Sequence, residues 1–126
     1  MTVVLDSSAL LALLWTEAGS EGVAAVLDGA MMSAVNMAEV CSKLVDRGIR
    51  GGAVRSLLSD LPVRIVSFDE KQAFKTGELR PATRELGLSI GDRACLGLGM
   101  IERTTVVTAD RAWSGLDLGV EIKLIR

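Results

Sequence analysis

The sequence lacks histidine altogether and contains only two cysteines, Cys41 and Cys95. No imidazole is therefore available as a general base. Both cysteines lie in helix-like segments, and they match neither a disulfide framework nor a zinc motif. We interpret them as free core thiols of a protein from a reducing cytosol, which predicts a cytoplasmic location.

Long apolar runs are also missing. The longest, at residues 9–15, is far too short to span a bilayer, and residues 1–6 show neither the basic region nor the cleavage site of a signal peptide. We therefore expect no membrane partner. Because 49% of the residues are hydrophobic and the mean hydropathy is +0.39, a disordered chain is excluded. The length predicts a single domain spanning residues 1–126.

Charge of one sign does not dominate the chain, whose net charge is −2. This value alone argues weakly against a nucleic-acid partner. If four carboxylates are set aside as metal ligands, 14 basic residues remain against 12 of the 16 acidic ones, a balance of +2. With bound cations the surface would be mildly basic, which is not a strong electrostatic footprint.

Short β-branched runs alternate with helix-like segments along the chain. We expect strands at residues 2–5, 31–32, 63–68, 104–108 and 120–125. We expect helices at residues 9–15, 20–28, 33–47, 51–61, 69–79 and 90–103, with one helical turn at 110–114. This order predicts a parallel sheet covered by helices on both faces.

Four acidic residues lie where this fold would bring them together. Asp6 and Asp110 follow predicted strands, Asp92 stands at the start of a helix, and Glu39 lies within a helix. Ligands of open α/β sheets bind beyond the carboxyl ends of the strands. An all-carboxylate site suits a hard, oxygen-binding cation such as Mg²⁺ or Mn²⁺, and such a site favours chemistry on phosphates.

Each acid also fits a purely structural role. Asp6 and Asp110 could cap the helical segments that follow them, and Asp92 could complete a capping box begun by Ser89. Glu39 could pair with the lysine four residues later on a solvated helix face. We favour a shared site because all four acids fall at the same predicted edge of one sheet.

Four sequence stretches carry a resemblance to a known family. They are LDSSALLA at 5–12, SAVNMAEV at 33–40, LSIGDRACL at 88–96 and VTADRAW at 107–113. Each stretch alone is weakly specific, but the four occur in family order and with family spacing across essentially the full chain. The chain resembles PIN-domain ribonucleases, specifically the VapC-type toxins of bacterial toxin–antitoxin pairs.

The resemblance implies a three-layer α/β/α sandwich with a central, mostly parallel five-stranded sheet. It also implies Mg²⁺- or Mn²⁺-dependent cleavage of RNA, a cognate antitoxin and a homodimer. The residues that match the family's catalytic, metal-binding carboxylates are Asp6, Glu39, Asp92 and Asp110. The residues that match or could assist its supporting polar positions are Thr108, Ser8 and Asn36.

Two arginines, Arg93 and Arg111, directly follow two of these acids and could contact phosphate or RNA. Alternatively, they are surface arginines that pair with nearby acids. At the level of the whole chain, two other functions stay open. One is a catalytically idle PIN-fold module that binds RNA or protein. The other is a receiver-type phosphoacceptor domain, although Lys123 lies inside the last strand rather than after it.

Overall fold

A computed structural model describes residues 2–126 of the chain. Its five strands form one sheet in the order β3-β2-β1-β4-β5, and every neighbouring pair is parallel. The strands are β1 Val4–Leu5, β2 Met31–Ser33, β3 Arg64–Val66, β4 Val106–Thr108 and β5 Ile122–Leu124. The prediction of a five-stranded sheet is therefore confirmed, and the sheet is entirely rather than mostly parallel.

Within residues 2–126, seven α-helices and one 3₁₀ helix connect these strands. The α-helices are α1 Ser7–Leu14, α2 Ser20–Val26, α3 Ala34–Asp46, α4 Gly51–Ser59, α5 Glu70–Glu78, α6 Arg80–Thr83 and α7 Ile90–Glu102. The 3₁₀ helix, Arg111–Gly115, occupies the predicted helical turn. Helix α6 lies between the helices expected at 69–79 and 90–103, in a stretch where no helix was expected. Pro81 lies in the first turn of α6, where its missing N–H has no helical partner to lose.

The helices cover both faces of the sheet, because successive strand residues point to opposite sides. Leu5 belongs to a core formed with α1, α2, α3 and α4, whereas Val4 belongs to a second core formed with α7 and Trp113 of the 3₁₀ helix. This arrangement is the expected three-layer α/β/α sandwich. Both cysteines are free: Cys95 is buried in the second core, and Cys41 is half-buried at the margin of the first.

The strand order positions a crevice at the centre of the sheet. From β1 the chain moves outward through β2 and β3, and it then returns to β4 on the other side of β1. The strand order therefore reverses between β1 and β4, where open α/β sheets bind ligands. A receiver domain has the order 2-1-3-4-5 instead, so the receiver alternative is wrong. No helix within residues 2–126 is long and apolar enough to cross a membrane.

Candidate functional site

Asp6 directly follows β1 and is almost fully buried, with 3% of its surface exposed. Its carboxylate accepts hydrogen bonds from the Ala9 N–H at 2.8 Å and from Ser8 Oγ at 2.8 and 2.9 Å. A further hydrogen bond of 2.6 Å comes from Thr108 Oγ1 at the end of β4. Asp6 is therefore the N-cap of α1, and it also links the end of the central strand β1 to the end of β4.

Burial raises the pKa of Asp6 from its ordinary value of 3.8 to about 6. Loss of hydration is the largest cause, and the neighbouring Asp92 adds to it. The hydrogen bonds from Thr108, Ala9 and Ser8 act in the opposite direction but do not compensate. Folding therefore places an anion where it is electrostatically unfavourable unless a cation approaches.

Asp110 is joined to Asp6 through the hydroxyl of Thr108. Thr108 is fully buried, and its Oγ1 accepts a 3.0 Å hydrogen bond from the Asp110 N–H while it donates to Asp6. Ser8 makes a second link, because its Oγ accepts from the Ala109 N–H at 2.9 Å. Asp110 caps the 3₁₀ helix through its Oδ1, which accepts from the Ala112 N–H at 3.0 Å.

Glu39 faces the same region from α3. Its Oε1 accepts hydrogen bonds from Ser7 Oγ at 3.1 Å and from Asn36 Nδ2 at 2.9 Å. Asn36 Nδ2 also donates to the Gly91 carbonyl at 3.0 Å, which ties α3 to the start of α7. The alternative in which Glu39 pairs with Lys43 is wrong, since the one ion pair in residues 2–126 joins two other side chains.

Asp92 makes both hydrogen bonds of the expected capping box. Its Oδ2 accepts from the Ser89 N–H at 2.9 Å, and Ser89 Oγ accepts from the Asp92 N–H at 3.1 Å. Asp92 still lies close to the other acids. Burial raises the pKa of the Cys95 thiol, and the carboxylates of Asp6, Asp92 and Glu39 raise it further, so all three lie within electrostatic range of that thiol.

The four acids thus all lie near the carboxyl ends of β1 and β4, and we name them together the acid cluster: Asp6, Glu39, Asp92 and Asp110. Across residues 2–126 none of these carboxylates has a lysine or arginine nitrogen within 4.0 Å. One set of hydrogen bonds joins Ser8, Asp6, Thr108 and Asp110, and a second set joins Ser7, Glu39 and Asn36. An unpaired group of carboxylates of this kind attracts a cation from outside the chain.

The atoms of the acid cluster that could bind a metal suit a divalent cation. All of them are oxygens, and Asn36 adds a buried Oδ1 that has no hydrogen-bond partner among the described residues. However, no three acidic or cysteine side chains of residues 2–126 lie close enough together to hold an ion on their own. The cluster therefore fits Mg²⁺ bound through one or two carboxylates and water, which is the usual coordination of that ion.

The two arginines that follow the acids do not pair with them. Arg93 extends to α5, where its Nη1 donates to the Thr76 carbonyl at 3.1 Å. Arg111 donates from Nε to the carbonyl of Arg126 at 3.2 Å. Both guanidinium groups thus hold the backbone at helix and chain ends, so the alternative of pairing with nearby acids is wrong for both.

Two residues of the site, Ser7 and Gly91, were not singled out as supporting positions by sequence reasoning. Ser7 donates to Glu39, and Gly91 contacts both Glu39 and Asn36. The sequence indicated them only by their positions next to Asp6 and Asp92 in the chain. Those positions could not show that α3 packs against the starts of both α1 and α7.

These features agree with sequence comparison. A family model described as PIN domain matches residues 3–117, and the chain therefore belongs to the PIN-domain family. No curated protein sequence is significantly similar to the chain.

Solved structures with the same fold come from toxin–antitoxin systems. A toxin–antitoxin complex from Klebsiella pneumoniae matches at 19% identity with a TM-score of 0.73, and 94% of each chain is covered. DNA-bound VapBC from Salmonella typhimurium matches at 14% identity and a TM-score of 0.76, covering 100% of this chain and 99% of that one. VapC20 of Mycobacterium tuberculosis, a sarcin–ricin loop cleaving toxin, matches at 16% identity with a TM-score of 0.73, covering 94% of this chain and 98% of that one. At these identities the likeness establishes the fold.

The raised pKa of Asp6 predicts how the metal-free protein responds to pH. Above about pH 6 Asp6 is ionised in both the folded and the unfolded chain, and burial makes the folded form less favourable. As the pH falls from about 6 to about 4, the folded state takes up the proton first, so this group adds stability. Asp6→Asn should therefore raise the free energy of unfolding at pH 8 by up to about 3 kcal/mol.

Urea unfolding in EDTA at pH 8 and pH 4, for wild type and Asp6→Asn, measures this effect. The difference between the two proteins should disappear near pH 4. If Asp6→Asn is less stable than wild type at both pH values, the hydrogen bonds of the carboxylate outweigh its desolvation, and the electrostatic interpretation is wrong.

Proposed function

We propose that this chain is a Mg²⁺- or Mn²⁺-dependent endoribonuclease that acts in the cytoplasm as the toxin of a toxin–antitoxin pair, with residues 1–126 forming one PIN domain. The observation that carries the proposal is the acid cluster. Its four acids lie near the carboxyl ends of β1 and β4, where the strand order reverses, and no basic side chain of residues 2–126 pairs with any of them. The family and the toxin relatives support the same reaction class.

The chemistry follows from the donors of the cluster. One or two of Asp6, Asp92 and Asp110 would bind the ion directly and the rest through water, and Glu39 would orient a water molecule through its free oxygen. A divalent ion, when bound, lowers the pKa of water and offsets the charge that develops on the phosphate. The protein itself contributes rigidity: Thr108, Ser8 and Asn36 fix the carboxylates through hydrogen bonds before substrate arrives.

We predict RNA cleavage that depends on the metal and on the acid cluster. Purified protein should cleave RNA in Mg²⁺ or Mn²⁺ and stop in EDTA. Asp110→Asn should reduce the rate on the order of 100-fold or more while the protein stays folded, because it removes one carboxylate from the site. Asp117→Asn, outside the cluster, is the matched control and should cleave like wild type.

Thermal melts of the same proteins test the metal independently of cleavage. Wild type should melt at higher temperature in Mg²⁺ than in EDTA, because the ion binds only the folded state. The Asp110→Asn variant should lose most of this gain. Cleavage that continues undiminished in EDTA would contradict the metal mechanism and favour a contaminating nuclease or another site.

The RNA path would run from the acid cluster along α1 and α3. Helix α1 starts at the cluster, and its first residue, Ser7, contacts Glu39 in the second turn of α3. At the far end of α1, about 12 Å away by helix geometry, the Arg47 guanidinium stacks on Trp15 with 4.1 Å from Cζ to the ring centroid. Lys43 and Arg47 line a cavity of about 270 Å³ beside this ring. Aromatic rings and guanidinium planes are the surfaces on which single-stranded bases stack.

Tryptophan fluorescence can report this path directly. The chain has two tryptophans and no tyrosine, and Trp113 is fully buried whereas Trp15 is half-buried. Adding a single-stranded oligoribonucleotide to the cleavage-impaired Asp110→Asn variant should quench the emission until saturation. Introducing Trp15→Leu should weaken binding about tenfold, since base stacking is lost.

Two arginine variants complete this experiment, one as a test and one as its matched control. Arg47→Gln should weaken binding, whereas Arg55→Gln on the exposed face of α4 should leave it unchanged. If the oligonucleotide binds by an independent assay but the Trp15 emission does not change, the RNA takes another route. Arg93 and Arg111 would then be tested next as phosphate contacts.

The proposed partners are a cognate antitoxin and a second copy of the chain. Two proteins of the same fold were solved in assemblies, one as a toxin–antitoxin complex and the other as DNA-bound VapBC. For this chain, the unpaired acid cluster supports inhibition by an arginine of the antitoxin, because a guanidinium can bind carboxylates in place of the ion.

We predict that expression of the chain alone arrests bacterial growth and that co-expression of the antitoxin restores it. Asp6→Asn, which keeps the cap on α1 but removes the charge, should be harmless at the same expression level. If wild type and Asp6→Asn are equally harmless without antitoxin, the toxin proposal is wrong. The idle RNA- or protein-binding PIN module would then be the better interpretation, provided that the purified protein also fails to cleave RNA.

A further inference from the structure

Gly91, the second residue of α7, lies directly against the carboxylate of Glu39. A Cβ placed on Gly91 would stand 2.6 Å from both Cδ and Oε1 of Glu39, and it would overlap Oε2 as well. No side chain larger than a hydrogen atom fits between the two residues. Glycine is a poor helix former, so the needs of α7 alone would favour alanine here.

The space left by Gly91 has polar walls that hold Glu39 in place. Asn36, only 1% exposed, donates from Nδ2 to Glu39 Oε1 at 2.9 Å and to the Gly91 carbonyl at 3.0 Å. Ser7 donates to the same Oε1 at 3.1 Å from the start of α1. The carboxylate is thus fixed by α1, α3 and α7 together, at the point where these helices converge.

We propose that Gly91 and Asn36 are positioning residues, which form a seat for the Glu39 carboxylate within the acid cluster. Gly91 provides the space, and Asn36 locks the carboxylate to the backbone of α7. The inference rests on the proposed function, because Glu39 needs a defined position only if it acts on water or substrate in the cluster. Neither residue touches the reacting atoms, so neither is a catalytic residue.

The atoms that a Cβ at Gly91 would meet decide the consequence of a substitution. They belong to the end of a flexible side chain, which can rotate away toward solvent. Gly91→Ala should therefore fold normally, with the Glu39 carboxylate displaced from Ser7 and Asn36. Gly99 in the same helix differs, because its added Cβ would overlap the buried Val106 side chain and lie 3.3 Å from the Thr104 carbonyl oxygen.

The Asn36 carboxamide offers a spectroscopic readout that does not depend on activity. The sequence contains one asparagine, Asn36, and one glutamine, Gln72, so an amide NMR spectrum contains only two side-chain carboxamide pairs. In Gly91→Ala the Asn36 pair should shift, since one proton loses its Glu39 acceptor. The carboxamide pair of Gln72 on α5, which donates to the carbonyl of Ser67 before that helix, should stay in place.

Cleavage kinetics supply the second readout. Gly91→Ala should lower the cleavage rate on the order of 100-fold, which is the typical effect of displacing a catalytic group. The double variant Gly91→Ala/Glu39→Gln should be no slower than Glu39→Gln alone, because both changes remove the same group. Gly97→Ala is the matched control: its Cβ would meet Lys75 Cγ at 3.3 Å, and cleavage should equal that of wild type.

The outcomes separate the seat from the proposed function. If Glu39→Gln is inactive while Gly91→Ala cleaves like wild type with an unshifted Asn36 signal, the seat is refuted and the function stands. If wild type does not cleave RNA but the Asn36 signal shifts in Gly91→Ala, the seat stands and the function is refuted. Should Gly91→Ala not fold, Gly91→Ala/Glu39→Asp should fold, since its acid is one methylene shorter. Failure of that variant to fold would also overturn the seat.

Discussion

The hydrogen bond of 2.6 Å from Thr108 Oγ1 to Asp6 is the interaction on which the rest of the site depends. It joins the ends of β1 and β4, which are neighbours in space although 102 residues separate the two partners in sequence. Thr108 also receives the Asp110 N–H, so a single buried hydroxyl sets the positions of two acids. Valine in place of Thr108 would keep the shape of the strand, but it would remove one hydrogen bond from Asp6 and leave the Asp110 N–H without its partner.

The burial of Asp6 explains why the cluster is suited to a cation. The neutral donors around Asp6 do not make up for the hydration that its carboxylate loses, and the neighbouring Asp92 makes the ionised form of Asp6 still less favourable. Basic residues of the chain could have relieved this repulsion, but Arg93 and Arg111 are used to hold backbone carbonyls elsewhere. The unfavourable negative charge of Asp6 can therefore be neutralised by an ion, by an arginine of a partner or by a proton.

Much of this arrangement could be predicted from the sequence, because strand ends and helix starts carry strong local signals. The buried run before Asp6 and the Ser89–Asp92 capping box identify two of the four positions without any structure. Helix α6 was missed because a proline interrupts a helix from its interior but is tolerated in the first turn, and Pro81 lies in the first turn of α6. The contact of Glu39 with Gly91 could not be predicted, because it depends on how closely α3 and α7 pack.

The structural and functional roles of the acids do not exclude each other, which is why sequence patterns could not separate them. Asp6 and Asp110 cap helical segments, and Asp92 completes a capping box, each accepting a backbone N–H. A carboxylate has two oxygens, however, and for Asp92 and Asp110 the second makes no hydrogen bond within residues 2–126. The cap fixes the orientation of the side chain and leaves the other oxygen available. Helix starts thus supply what a metal site needs, namely carboxylates that are already ordered before the ion arrives.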